Sequence, residues 1–352
     1  MLESLQYLRA IGSLLVVGVH LEPPLQRLGL EAPWLYAGAF GVDIFFVLSG
    51  FLILVTTYRK TDYTAEFYRK RWLRIVPLYW MITTVVLILL LATPQLVKSG
   101  SLDTWHVISS YLFLPSPHPV LGSLEPLFVP GWTMNYEVFY FVTWGLILFL
   151  PQKARAPAFG ALIVGLVTLG TLVKSGNPLL VFYTSPLMLE FVFGLLLGIW
   201  YKEGAPLPRP LGWVLIGLGL LALLSAAHTT PWVRVFQRGL PAMMLLAGAI
   251  TLERARPVRR IGVFALLGDA SYSTYLTHSI ILSAVGQVFA RLPLTSPAVA
   301  GITYGVTGVA AAIAGSIVFH KVVERRLLKL MRDKPAGATS AARTKVAQEV
   351  SE

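Results

Sequence analysis

Apolar residues in this chain run in long unbroken stretches, separated by short segments that are basic, polar or rich in Pro and Gly. Ten stretches approach the length that carries a helix across about 30 Å of hydrocarbon. They cover 5–22, 38–57, 75–92, 132–150, 158–173, 179–200, 211–227, 239–252, 263–289 and 299–319. The pattern predicts an all-α integral membrane protein of about ten transmembrane helices. The eighth stretch is short, and a start near Trp232 would lengthen it. Trp34, Trp105, Trp132, Trp200, Trp213 and Trp232 fall at or near stretch ends, where aromatic anchors belong. One membrane domain is expected over 1–330. From about Asp333 the chain turns to Pro, Gly, Ala, Ser and charge, so 331–352 is expected to be a disordered cytoplasmic tail.

Composition sharpens this picture. Hydrophobic residues are 55% and charged residues 13%, with a mean hydropathy of +0.68. That is too little charge to cover a soluble surface of this size. The net charge of +12 sits in short clusters between apolar runs, as the positive-inside rule requires, and not on a basic face, so nucleic acid is not an expected partner. With both termini cytoplasmic, 23 Lys and Arg fall inside, Arg59 and Lys60 among them, and 6 fall outside: Arg27, Lys98, Lys174, Arg234, Arg238 and Arg291. Cysteine is absent, which removes disulfides, Cys-ligated zinc and thiol nucleophiles; no metal is expected. The first stretch has no basic n-region or small-residue cleavage site, so it is expected to be a retained helix. The longest external loop, 93–131, is rich in Pro, Ser and aromatics; a loop of that length is usually functional or disordered. No internal repeat suggests an inverted-repeat transporter.

Polar residues within apolar stretches need an account. Arg9 and His20 are eleven residues apart, which on a helix is nearly the same face with a rise of about 16 Å. They fit either a snorkelling anchor with an interfacial histidine, or a guanidinium and an imidazole at two ends of one route. Asp43 fits a helix-start residue as well as a functional one. Arg71 and Arg74 are i,i+3 neighbours able to converge on one phosphate, though inner helix ends collect basic residues in any case. Glu137, beside Asn135 and Tyr136 near the outer end of the fourth stretch, is a carboxylate that calls for a partner. Ser271, Tyr275 and His278 form one polar stripe at i, i+4 and i+7. His106, His118, His228 and His320 read as ordinary loop or boundary histidines. Taken together, His20, Asp43, Glu137 and His278 are expected in the outer half of the membrane and Arg9, Arg71 and Arg74 at the inner side.

These segments resemble membrane acyltransferase family 3, which O-acylates surface polysaccharides, lipids and small molecules. The resemblance runs to about Lys329. It rests on Arg9 to His20 as the family's Arg-x10-His, the Gly41–Gly50 stretch, and Arg71-Trp-Leu-Arg74 as its Arg-x-x-Arg. The Trp132-Thr-Met-Asn-Tyr-Glu137 element, the Ser271–His278 segment and a Glu324-Arg-Arg-Leu ending complete it. Arg326 departs from the family, which commonly has Pro there. The opening Leu5-Gln-Tyr-Leu-Arg9 and the Gly131–Tyr140 wording are most similar to the exopolysaccharide O-acetyltransferase branch.

The resemblance implies an acyl-CoA-dependent O-acetyltransferase of a bacterial inner membrane. Acetyl-CoA would be the co-substrate, its phosphates held by Arg71, Arg74 and Arg9 at the cytoplasmic face. Its thioester would rise between helices to His20 as general base, with Glu137 and His278 in support and an acetyl-histidine intermediate as a variant. Asp43, Trp132, Asn135, Tyr136 and Tyr275 are the expected acceptor-binding residues, with Trp105 and Tyr111 also expected to stack on the sugar. Expected partners are acyl-CoA, a saccharide acceptor and membrane lipid, with a second copy of the chain or a polysaccharide assembly complex left open. No soluble esterase-like domain follows the tenth stretch, so transfer is expected to finish in the membrane domain or pass to a partner. The rival functions are a flippase or transporter for a lipid-linked sugar, an acyltransferase with a different acceptor, and a non-catalytic subunit of an assembly complex.

Overall fold

The computed structural model describes residues 2–58, 64–96, 100–224, 230–293 and 296–332. The expectations on Arg59, Lys60, Lys98, His228 and the 333–352 tail lie outside the described residues. Within them the chain is helical: α1 (Glu3–Val19), α2 (Glu22–Arg27), α3 (Phe40–Thr57), α4 (Thr64–Ala92), α5 (Thr104–Tyr111), α6 (Trp132–Ile147), α7 (Gln152–Leu172) and α8 (Pro178–Tyr183). There follow α9 (Leu189–Glu203), α10 (Arg209–Leu224), α11 (Pro231–Arg234), α12 (Leu240–Ala255), α13 (Gly262–Asp269), α14 (Ser271–Phe289), α15 (Pro297–Phe319) and α16 (Arg325–Arg332). The protein is an all-helical, multi-pass membrane protein.

Six described helices are long and apolar enough to cross a membrane: Glu3–Arg27, Pro33–Thr57, Ala65–Ala92, Gln152–Leu172, Pro231–Ala255 and Pro297–Met331. The other four stretches read from the sequence fall on α6, α9, α10 and α14. The first three have only 16, 15 and 16 residues, and α14 carries its polar stripe on a buried face. The eighth stretch does begin earlier, at Pro231. Two stretches are broken. The ninth divides at Ala270 into α13 and α14, and the sixth is interrupted between α8 and α9 by the tight turn Pro186–Met188. Pro186 has no N–H to continue α8, and Ser185 accepts Leu187 N–H to start the new turn.

Small residues set the closest crossings. A Cβ on Gly194 of α9 would lie 1.9 Å from the Val47 carbonyl oxygen of α3, and one on Gly50 would lie 2.1 Å from the Phe191 carbonyl oxygen. The two backbones therefore touch, in the way lipid-embedded helices gain packing without a hydrophobic driving force. α3 and α9 are among the most extensively packed pairs, with α10 on α12 and α14 on α15.

Two anchorages fix the helices that carry the site. The exposed N–H groups at the start of α1 are capped by Glu253 of α12, which accepts from Glu3 N at 2.8 Å, Ser4 N at 2.9 Å and Ser4 Oγ at 2.5 Å. The segment 100–131 is an ordered brace on α4: Tyr79 donates to Ser110 O, Trp80 to Tyr111 O, and Leu127 N–H to Ser110 Oγ. It delivers the chain into the tight turn Val129–Gly131 and so sets where α6 begins.

Candidate active site

α1 ends at His20, which caps it. Its ring meets that of His278 of α14 edge to face, centroids 4.6 Å apart. His20 Nδ1 lies 2.9 Å from Val16 O and His278 Nδ1 lies 3.0 Å from Thr274 O. A carbonyl only accepts, so each Nδ1 carries the hydrogen and each Nε2 is left with a free lone pair. His278 is fully buried, and its Nε2 has no partner among the described residues. One turn back on α14, the Tyr275 ring is 5.9 Å from that of His278. Its hydroxyl donates to Pro130 O at 2.7 Å and lies 2.6 Å from Thr133 Oγ1.

Tyr275 and Thr133 also line a narrow cavity of about 100 Å³ between α1, α3, α4, α6 and α14. Along α3 its wall runs from Val42 to Leu52, about 15 Å at helical rise. Arg9, Arg71, Arg74, Glu137 and Ser271 line it as well. Three guanidiniums from α1 and α4 thus converge on one space with one carboxylate from α6. Arg9 donates to Gln6 Oε1 at 3.2 Å, and Gln6 donates onward to Asp269 Oδ1 at 2.8 Å. Glu324, a further neighbour of Arg9, accepts from Ser273 Oγ at 2.5 Å and His320 Nδ1 at 2.7 Å. His320 is therefore a buried anchor of that network and not a plain boundary residue.

Glu137 has Arg71, Ser49 and Arg74 as its polar neighbours. The partners of the two histidines are each other's rings and the backbone carbonyls of Val16 and Thr274. Glu137 was expected to support His20; the structure sets its carboxylate against the arginines, in a cavity that His20 does not line. The physical reason is the register of α6, where Thr133, Met134 and Glu137 point into the cavity.

The opposite face of α6 borders a second, wider space of about 1040 Å³, lined by Trp132, Tyr136, Phe182, Lys174, Trp232 and Arg234 among others. Tyr136 stacks on Phe182 with centroids 3.9 Å apart. Phe46 lines the narrow cavity and touches Trp132 and Tyr136 of the cleft, at 6.1 and 5.8 Å, so its ring is part of the partition between the two. Trp105 and Tyr111 do not line the cleft; Tyr111 instead hydrogen-bonds Thr84 of α4 at 2.8 Å. Asn135 is fully buried and lines neither space, its amide atoms unpartnered among the described residues.

Asp43, fully buried, accepts Arg234 Nε–H at 2.8 Å. Arg234 and Arg238 thus lie within the helix Pro231–Ala255 and not in an external loop. A π-helical turn, Val235–Gly239, holds Arg238 buried, and such turns concentrate at functional sites. Glu190 of α9, also fully buried, joins Asp43, Arg234 and Arg238 in one charge cluster. Glu190, Arg234 and Arg238 were missed in the sequence, whereas Asp43 was singled out. The signal present was a carboxylate in an apolar run without a partner, and two arginines at i,i+4 in a stretch whose start was open.

Residues 2–321 match the family described as Acyltransferase domain, and the chain belongs to that family. It is similar to the exopolysaccharide production protein ExoZ of Rhizobium meliloti (strain 1021), with 34% identity covering 87% of this chain and 94% of that protein. It is 26% identical to nodulation protein 10 of Rhizobium leguminosarum bv. viciae, covering 77% of this chain and 79% of that one. The peptidoglycan O-acetyltransferase OatA of Listeria monocytogenes is also 26% identical, over 84% of this chain and 51% of that protein. No solved structure matches.

Proposed function

We propose that the protein transfers an acetyl group from cytoplasmic acetyl-CoA to a hydroxyl of an extracytoplasmic saccharide, in the inner membrane of a bacterium. The observation that carries this reading is the narrow cavity itself. It starts among three guanidiniums and runs about 15 Å along α3 to Tyr275, which touches one of two histidines with free Nε2 atoms. That is the length and polarity an acyl-thioester arm needs, with phosphates left at the arginine end. The relatives named for peptidoglycan O-acetylation and exopolysaccharide production support a saccharide acceptor.

In this reading α6, α9, α10 and α14 also cross the membrane, giving ten spans with both termini cytoplasmic. Moving Arg234 and Arg238 out of the external loops strengthens the positive-inside bias behind that orientation. The acceptor occupies the wide cleft against Trp132 and Tyr136. Its hydroxyl oxygen attacks the thioester carbonyl carbon while His20 Nε2 takes the hydroxyl proton. The C–S bond then breaks, and the proton passes from His20 to the departing CoA thiolate. Val16 O fixes the His20 tautomer that makes this possible, and His278 backs the ring.

The test is His20→Ala in proteoliposomes. Acetyl transfer should fall by about 10²–10⁴ or more, while CoA affinity stays within a few-fold because the arginine end is untouched. Turnover near wild type would remove His20 from the chemistry.

A further inference from the structure

Among the described residues, the ionic lining of the wide cleft consists of Arg234, Lys174 and Glu125. Glu125 accepts Ser123 Oγ–H at 2.6 Å through one oxygen and keeps its charge, so with Arg234 and Lys174 the lining is left with one net positive charge. Arg234 is held from behind, its Nε–H given to Asp43 at 2.8 Å and its guanidinium over the Trp132 ring at 5.6 Å. None of its four Nη hydrogens has a hydrogen-bond partner among the described residues, and the side chain is 22% exposed. A guanidinium fixed through Nε offers a planar two-pronged fork at Nη, the geometry that matches a carboxylate or a phosphate. Behind it, two carboxyl groups, Asp43 and Glu190, stand against two guanidiniums, Arg234 and Arg238, so the cluster carries no net negative charge and does not repel an anion. The rings of Trp132, Tyr136, Phe182 and Trp232, set among hydroxyl side chains such as Thr171 and Ser185, suit a sugar ring.

We infer that the acceptor carries an anionic group, a phosphate or a carboxylate, and that the Arg234 fork receives it. This rests on the reading of the cleft as the acceptor site. The anion has two chemical sources: the phosphate of a lipid linkage, or an acidic group on the saccharide itself. Arg234 is then a specificity-determining residue, and Asp43 and Glu190 are positioning residues that hold it.

The experiment is calorimetric titration of the protein in lipid nanodiscs, with saturating CoA present to fill the arginine end of the narrow cavity. Three probes are used: a glucuronate-containing disaccharide, its neutral glucose counterpart, and inorganic pyrophosphate. At least one charged probe should bind tenfold or more tightly than the neutral one. Tighter binding of the uronate assigns the charge to the saccharide, and tighter binding of pyrophosphate assigns it to the lipid linkage. Arg234→Gln should erase the preference. If that variant fails to fold, the double variant Asp43→Asn, Arg234→Gln removes both charges of the pair and supplies the same comparison. Equal affinity for charged and neutral probes in the wild type, or a preference that survives the loss of Arg234, overturns the inference. CoA titrated alone into the same preparations separates the two levels: the inference expects CoA affinity to be unchanged in Arg234→Gln, and a selective loss of CoA binding there would overturn it by placing the donor in the wide cleft.

Discussion

Glu137 offers the sharpest test of how the site is wired, because its placement predicts a gain where the usual substitution gives a loss. The carboxylate lines the same cavity as Arg9, Arg71 and Arg74. It offsets part of the positive charge that would hold the CoA phosphates. A bound phosphate about 7 Å from Glu137 would be repelled by about 2.4 kcal/mol at an effective dielectric of about 20. The arginines and water in the cavity screen some of that, leaving about 1–2 kcal/mol. Glu137→Gln keeps the shape and a hydrogen-bonding amide for Ser49, so CoA should bind roughly five- to thirty-fold more tightly. Arg71→Ala should do the reverse, losing about 1.5–3 kcal/mol with one charge-assisted contact, or roughly 10- to 150-fold. Calorimetry with CoA on both variants in nanodiscs reads the two signs directly. If Glu137 works beside His20 instead, the glutamine variant loses turnover and leaves CoA affinity alone. That result would refute the shared-cavity argument.

Three further outcomes are expected. Gly194→Ala places a Cβ 1.9 Å from a backbone oxygen of α3 and should cost about 3 kcal/mol or more, whereas Gly165→Ala, with nothing near its Cβ, should be neutral or slightly stabilising; thermal unfolding in detergent compares them. Burial holds His106 and His118 of the brace below the ordinary histidine range, with the neighbouring His118 adding to the effect at His106. Because both folded values are depressed, the brace should keep its full stability above about pH 6.5 and lose it as pH falls below that; hydrogen exchange over 100–131 from pH 7.5 to 5 would show falling protection, and a flat profile would contradict this. Reporter fusions after Leu91, Lys174 and Arg291 should report outside and those after Lys153, Lys202 and Arg256 inside, with reversal at any two sites against the orientation.

Much of this was legible in the sequence because helical spacing is a strong constraint. Ser271, Tyr275 and His278 at i, i+4 and i+7 do lie along one buried helix, and the eleven-residue step from Arg9 to His20 does join the cavity's arginine end to the histidine pair. What spacing could not supply was lateral packing. Nothing local to Glu190 says that Asp43 and Arg234 face it from two other helices. Arg234 and Arg238 looked like loop residues because Pro231 and Trp232 resemble a boundary, while a π-helical turn carries the helix on through them. The order of residues 100–131 leaves no periodic trace in the sequence, because it comes from hydrogen bonds to α4.

In the proposed reaction, the position of α6 lets one short sequence block serve both donor and acceptor. Trp132 and Tyr136, at i and i+4, face the wide cleft, while Thr133, Met134 and Glu137 face the narrow cavity. Successive residues on a helix are turned by about 100°, so six consecutive positions necessarily present two faces. A thioester brought to a membrane-embedded site is exposed to hydrolysis whenever water reaches it with a base at hand. A helix between the two spaces, sealed by Phe46 against Trp132 and Tyr136, keeps the wide cleft apart from the narrow cavity, the donor channel of the proposed reaction. The partition also has to be passable at one point if a hydroxyl is to meet the carbonyl. The start of α6 is where that passage belongs, since the Thr133–Tyr275 contact there joins the channel to the histidine pair. The brace on α4 acquires its purpose from this: it fixes Val129–Gly131, and with it the register on which the separation of the two faces depends.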